Sequence, residues 1–145
     1  MKLPQYVTAN EVKRVCKQLG FRDWSKLKSP EVTIKEAKAI LAIVNVKKMK
    51  IDSEEFRRGL EVELEHGTQF SDANVTNNHP IITGMIVLAH MKESLDYYKL
   101  LEVAELEGDL LKAVVAKNLK KVEEKYKKLS QAQIELNQAI AKQLR

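Results

Sequence analysis

The chain has one cysteine, Cys16, so it can build neither an intramolecular disulfide framework nor a cysteine-rich zinc site, and a reducing compartment suits it. Long apolar runs are missing as well. None approaches the roughly 18 residues that a membrane span needs, and the opening Met1-Lys2-Leu3-Pro4-Gln5-Tyr6 lacks the apolar region of a signal peptide. The loops that carry familiar chemistry are also absent. No GxxxxGK[ST] or GxGxxG loop, no GxSxG elbow and no HExxH helix occurs, which removes support for phosphoryl-transfer, dinucleotide-binding, serine-hydrolase and zincin readings. The expectation is a cytoplasmic or virion protein that does not span a membrane.

What is present suits a folded chain. Its 145 residues leave room for one compact domain, and 44% hydrophobic with 31% charged residues lies well clear of the composition of disorder. The net charge of +5 hints weakly at a polyanion, but its distribution changes that hint. Residues 1–50 carry 12 basic and 4 acidic side chains, residues 51–108 carry 4 and 12, and residues 109–145 carry 9 and 4. Two basic arms therefore flank an acidic centre, which holds all three histidines, His66, His79 and His90.

Three helix starts share one device, a capping residue followed three positions on by a carboxylate, with apolar residues alongside. Val7-Thr8-x-x-Glu11, Val32-Thr33-x-x-Glu36 and Ile51-Asp52-x-x-Glu55 predict helices over Thr8 to Leu19, Thr33 to Asn45 and Asp52 to His66. Gly20 and Gly67 are placed to end the first and third of these in the left-handed conformation. The polar stretch from Gly67 to His79 is long for a loop between packed helices, and such loops tend to be functional. Pro80 then opens an apolar helical pattern that continues to about Glu107, and Gly108-Asp109 reads as a break and a new cap.

The last segment has the clearest rhythm. Val115, Leu119, Val122, Tyr126, Leu129, Gln133, Leu136 and Ile140 alternate in steps of four and three, the a/d pattern of a supercoiling helix, with one polar position at Gln133. The stripe either folds back on the body or pairs with another chain, and its narrowness favours pairing. The fold expected is all-α: a bundle of about four to five helices over residues 1–108 and a long, coiled-coil-like C-terminal helix over residues 109–145.

Polar residues interrupt two of the apolar faces. On the third helix Phe56, Gly59, Leu60 and Leu64 mark the core side, with Glu63 among them and His66 three residues on. Arg57, Arg58, Glu61 and Glu65 point away and form a solvated, ion-paired face. On the next helix Ile82, Ile86, Ala89, Tyr97, Leu100 and Ala104 define an apolar face that also contains His90 and Glu93. A buried carboxylate costs several kcal/mol unless it is paired, so Glu63 and Glu93 need partners.

Two explanations stand. Glu63, His66, His90 and Glu93 converge and hold a divalent metal such as Zn, Fe or Mn, as inward-facing Glu-x-x-His motifs do in bundles. Alternatively they form a metal-free carboxylate–imidazole network that fixes how the helices dock. A di-iron bundle draws on four carboxylates and two histidines, a deficit here that Asp96, Tyr97 or a second subunit would have to fill. His79 beside Pro80 reads as a helix cap or surface residue, and Cys16 as core with Val12, Val15 and Leu19. The basic runs Lys47-Lys48-Met49-Lys50 and Lys120-Lys121-Val122-Glu123-Glu124-Lys125 lack interleaved aromatics and read as solvated faces, which leaves nucleic-acid binding as the weakest option.

The segments EFRRGLEVELEHG (Glu55 to Gly67), NVTNNHPIITG (Asn74 to Gly84) and IVLAHMKESLDYYKLLEVAE (Ile86 to Glu105) resemble a domain-of-unknown-function family common in phage and bacterial genomes. Its hallmark is a Gly-x-x-Val-Glu-Leu-Glu-His-Gly helix end, then Asn-Val-Thr, then Ala-His-Leu-x-Glu and Asp-Tyr-Tyr. The resemblance covers about Thr33 to Glu107, outside which the first helix and the C-terminal tail match poorly. It carries over Glu63, Glu65, His66, Asn74, Thr76, His90, Glu93, Asp96, Tyr97 and Tyr98. Two positions depart from it: His79 stands where an acid usually precedes the proline, and Ser94-Leu95 replaces Phe-Pro, which favours a continuous helix there. The resemblance implies a phage or phage-like setting and no particular activity.

The reading that follows is a non-enzymatic structural or interaction protein, a virion component that self-associates through Val115, Leu119, Val122, Tyr126, Leu129, Leu136 and Ile140. A metal-binding protein or metal-dependent enzyme built on Glu63, His66, His90 and Glu93 is the alternative. Asn74, Thr76, Asp96, Tyr97 and Tyr98 would then be a supporting polar network.

Overall fold

The computed structural model describes residues 7–144; the opening hexapeptide and the last residue lie outside them. Those residues are all-helical: α1 Ala9–Leu19, a 3-10 turn Trp24–Lys26, α2 Ile34–Val44, α3 Ser53–Gln69, α4 Pro80–Glu93, α5 Tyr97–Val115 and α6 Leu119–Gln143. They form two compact units that divide between Glu93 and Ser94. The expected division at Gly108 and Asp109 does not coincide with this boundary.

The first unit starts each helix as the capping pattern predicts. Thr8 Oγ1 accepts from the Glu11 N–H, Thr33 and Glu36 complete a reciprocal capping box, and Asp52 accepts from the N–H groups of Glu54 and Glu55. Val12, Val15 and Cys16 of α1, Ala37, Ile40 and Val44 of α2, and Phe56, Gly59, Leu60 and Leu64 of α3 are buried. Gly20, with φ 70°, ends α1.

Helix α4 required a correction. Its buried side is Thr83, Gly84, Val87, Leu88 and Met91, while Ala89 and Glu93 are exposed. The segment is apolar nearly all round, so periodicity could not choose a face. Small side chains decide it. A Cβ on Gly84 would lie 2.3 Å from Ile40 Cγ2, so the glycine is what lets α4 cross α2 this closely.

A second correction concerns Ser94. Its hydroxyl accepts from the Asp96 N–H at 3.2 Å and its carbonyl from the Tyr97 N–H at 3.1 Å, a local alternative to helical bonding that separates α4 from α5 even without the family's proline.

The second unit is an antiparallel hairpin of α5 and α6, held near the turn by Lys125 Nζ donating to Asp109 Oδ2 at 2.7 Å and at the far end by Gln143 Nε2 donating to Asp96. The predicted break at Gly108-Asp109 is overturned, since both residues are helical within α5. Glycine costs only about 1 kcal/mol inside a helix, and Asp109 spends its carboxylate on Lys125 rather than on a cap. The chain turns instead at Lys117, whose φ is 53°. The Asn118 N–H reaches Ala113 O and the Lys117 N–H reaches Val114 O, a helix-ending pair of bonds that usually has glycine in Lys117's place. Asn118 then caps α6 by accepting from the Lys121 N–H.

Candidate functional site

The acidic stretch folds around one loop. Asn77 and Asn78 have φ of 48° and 59°, left-handed conformations that asparagine tolerates better than most side chains. Asn74 Nδ2 donates to Gly67 O at 3.1 Å and to Asn78 Oδ1 at 2.9 Å, and Thr76 Oγ1 donates to Asn74 Oδ1 at 3.3 Å and accepts from the Asn78 N–H. Asn77 Nδ2 donates to Val7 O, tying the loop to the approach to α1. Gly67 does not end α3, which runs on to Gln69. The residue is needed for closeness: a Cβ there would lie 2.1 Å from Asn78 Oδ1.

His79 caps α4. Its Nδ1 accepts from the Ile81 N–H at 3.2 Å and faces the Ile82 N–H at 3.4 Å, which requires that nitrogen to be unprotonated. Burial holds the His79 pKa below its ordinary 6.5; nearby Glu11 pulls it up and Arg14 pushes it down. A group that donates nothing from Nδ1 is poorly suited to bind the anion its helix-terminal place suggested.

Of the four proposed metal ligands, Glu63 and His90 meet. Glu63 Oε1 lies 3.2 Å from His90 Nδ1, linking α3 to α4, and both side chains are partly buried. His66 and Glu93 are exposed, one near the end of α3 and the other at the last residue of α4. Glu63, His66, Gly67, Asn74, Thr76 and Thr83 line a recess of about 130 Å3. That is room for about four waters at about 30 Å3 each, well short of the roughly 300–1,000 Å3 of pockets that enclose organic ligands. Among the described residues no three His, Cys, Asp or Glu side chains are grouped so as to hold a metal ion. The pair supplies two donors where a structural zinc takes four, so the geometry is that of a carboxylate–imidazole contact between helices.

Further residues act elsewhere. Asp96 accepts from Gln143, and the rings of Tyr97 and Tyr98 meet edge-on at 5.2 Å, with Tyr98 buried, all within the second unit. Sequence patterns missed a buried cluster around Glu36, which accepts from Trp24 Nε1 at 3.0 Å and from the Thr33 N–H at 2.9 Å, with Arg22 Nε 3.4 Å away. Burial alone would raise the Glu36 pKa, but these donors outweigh it and hold the carboxyl below its ordinary 4.5. Burial pushes the Cys16 thiol up, away from nucleophilic character.

The family of proteins of unknown function DUF5661 matches residues 12–107. The chain belongs to this family. The DUF5661 match begins in α1, so the first helix is part of the family's domain rather than outside it, and it ends inside α5. The site loop and the Glu63–His90 contact fall within it, whereas α6 follows it. No curated protein and no solved structure matches the chain.

The C-terminal stripe is divided by the hairpin. Leu129 and Ala132 are buried, and Val122, Lys125, Leu136 and Ala139 are half-buried, a seam in steps of three and four. Val115 is the last residue of α5, and Leu119, Tyr126, Gln133 and Ile140 are exposed. Small alanines take the inner seam in place of Gln133 and Ile140 of the predicted one. The displaced residues remain as a second stripe at intervals of seven, with Leu119 81% and Tyr126 62% exposed.

Proposed function

We propose that this chain is a non-enzymatic assembly protein whose copies join through the outer apolar stripe of the C-terminal hairpin. The observation that carries the reading is the exposure of Leu119, Tyr126 and Ile140 on one flank of α6, at the spacing with which helices pair. The hairpin has little core of its own: Tyr98, Ala113, Leu129 and Ala132 are its buried apolar residues. Units this small bury too little surface to be comfortably stable without another partner. At about 1.5 Å per residue the 25 residues of α6 span about 37 Å, and a face about 20 Å wide covers roughly 700 Å2 per copy, close to the roughly 800 Å2 per partner of a standard stable interface.

The setting in a phage or phage-like particle rests on the sequence resemblance of residues 55–105, and the lack of a recess large enough for a substrate near the acidic loop agrees with a role other than catalysis. The test is sedimentation velocity of the full chain and of a variant carrying Leu119→Ser, Tyr126→Ser and Ile140→Ser. The full chain is expected to associate with rising concentration, and the variant to stay monomeric with unchanged helicity. A full chain that stays monomeric throughout contradicts the proposal.

A further inference from the structure

Two exposed apolar surfaces of this chain carry opposite charge. Between Ala37 and Ile51 there are four lysines, Lys38, Lys47, Lys48 and Lys50, and no acid. The turn after α2 forms a groove of about 440 Å3 lined by Lys38, Leu41, Ala42, Val46, Lys48 and Met49. Its edge is braced. Asn45 Nδ2 donates to Met49 O at 2.8 Å and Asn45 Oδ1 accepts from the Met49 N–H at 3.0 Å, which holds Lys48 at φ 52° and leaves Val46 83% exposed. An apolar side chain fixed in water on a braced turn is pre-organised for contact, because little freedom remains to be lost on binding.

Between Leu100 and Leu111 the balance reverses, with Glu102, Glu105, Glu107 and Asp109 and no base. A 100° step per residue puts Leu100, Ala104, Glu107 and Leu111 on the side of α5 away from the buried Tyr98 and Ala113, and all four are exposed. This is an acidic helical ridge with an apolar crest, the shape and charge that a lysine-rimmed apolar groove accepts.

We infer that the groove at the α2–α3 turn receives the outer face of α5 from a second copy of this chain. The inference rests on the self-assembly proposed above and adds a second contact to it, using surfaces other than the α6 stripe. Groove and ridge are different surfaces, so the contact is head-to-tail and leaves each copy with one of each to offer, unlike a two-fold contact of α6 with α6. The groove is concave and suits a helix better than the flat surface of a lipid bilayer.

A charge-swap mixing experiment tests this, with Leu119→Ser, Tyr126→Ser and Ile140→Ser present in every chain so that the α6 contact is silent. One chain also carries Lys38→Glu and Lys48→Glu, the other Glu105→Lys and Glu107→Lys. Each alone is expected to associate at least about tenfold more weakly than the parent, and their mixture to recover association, since each then meets a complementary surface. Recovery should weaken with added salt. A mixture that stays monomeric while the natural chain still associates through α6 overturns this inference and leaves the proposed function standing. Failure of the natural chain to associate at all overturns both. Binding to phosphatidylserine vesicles that is lost in the lysine variant, with no recovery on mixing, assigns the groove to a lipid surface and overturns the inference.

Discussion

His79 does two things at once: it occupies a buried place beside Pro80 and supplies the acceptor for the first turn of α4. Its folded pKa is depressed, so the unfolded chain binds the proton more readily. Stability is therefore full above the ordinary value near 6.5 and falls as pH drops through it, until the folded pKa is passed. His79→Asn, which keeps an acceptor, is expected to flatten the melting temperature between pH 7 and pH 5, while His79→Ala loses about 1 kcal/mol of cap at neutral pH. Glu36 acts lower on the scale. Its carboxyl is held below 4.5, so its contribution is present above that value and disappears as pH falls through the folded pKa; Glu36→Gln should remove that acid-side slope in a pH series of thermal melts. The Glu63–His90 contact is predicted to couple by about 1 kcal/mol in a double-mutant cycle with Glu63→Gln and His90→Ala, measured by urea unfolding. With only two donors assembled, EDTA is expected to leave the melting temperature unchanged, and a large fall would restore the metal reading.

At the level of the elements, legibility followed chemistry that acts within a few residues. The first three helices were readable because Thr8, Thr33 and Asp52 announce their starts, and the core side of α3 because Phe56, Leu60 and Leu64 repeat with the helix. Helix α4 was not, because its apolar residues surround it and the choice of face depends on Gly84 meeting Ile40, residues 44 positions apart in the chain and invisible to local pattern. The same limit hid the meeting of Trp24 with Glu36, although it allowed Glu63 and His90 to be paired from their places on apolar faces. The turn at Lys117 was missed because glycine, the usual signal, stands at Gly108 instead. Lys117→Gly should stabilise the hairpin by about 0.5–1 kcal/mol, read as a higher urea midpoint, since glycine accepts the left-handed conformation without strain. Gly67→Ala should do the reverse, because the added methyl would collide with Asn78 and disperse the loop's hydrogen bonds.

Across the whole molecule, the weak polyanion hint of a net +5 gives way to a pattern of opposed surfaces, a lysine-rich groove after α2 and a carboxylate-rich crest on α5. Among the described residues no helix is long and apolar enough to cross a membrane. The exposed apolar side chains of α5 and α6 instead ask for protein cover, because contiguous apolar surface of this kind marks interaction sites far more often than idle surface. Sequence rhythm identified α6 as an assembly candidate but could not divide its stripe, since the inner seam depends on which residues α5 leaves room for. The most direct test of the assembly reading is sedimentation velocity over a concentration series for the natural chain beside the chain with Leu119→Ser, Tyr126→Ser and Ile140→Ser. Association of the first and loss of it in the second is the predicted result; a monomeric natural chain, or equal association of both, would contradict it.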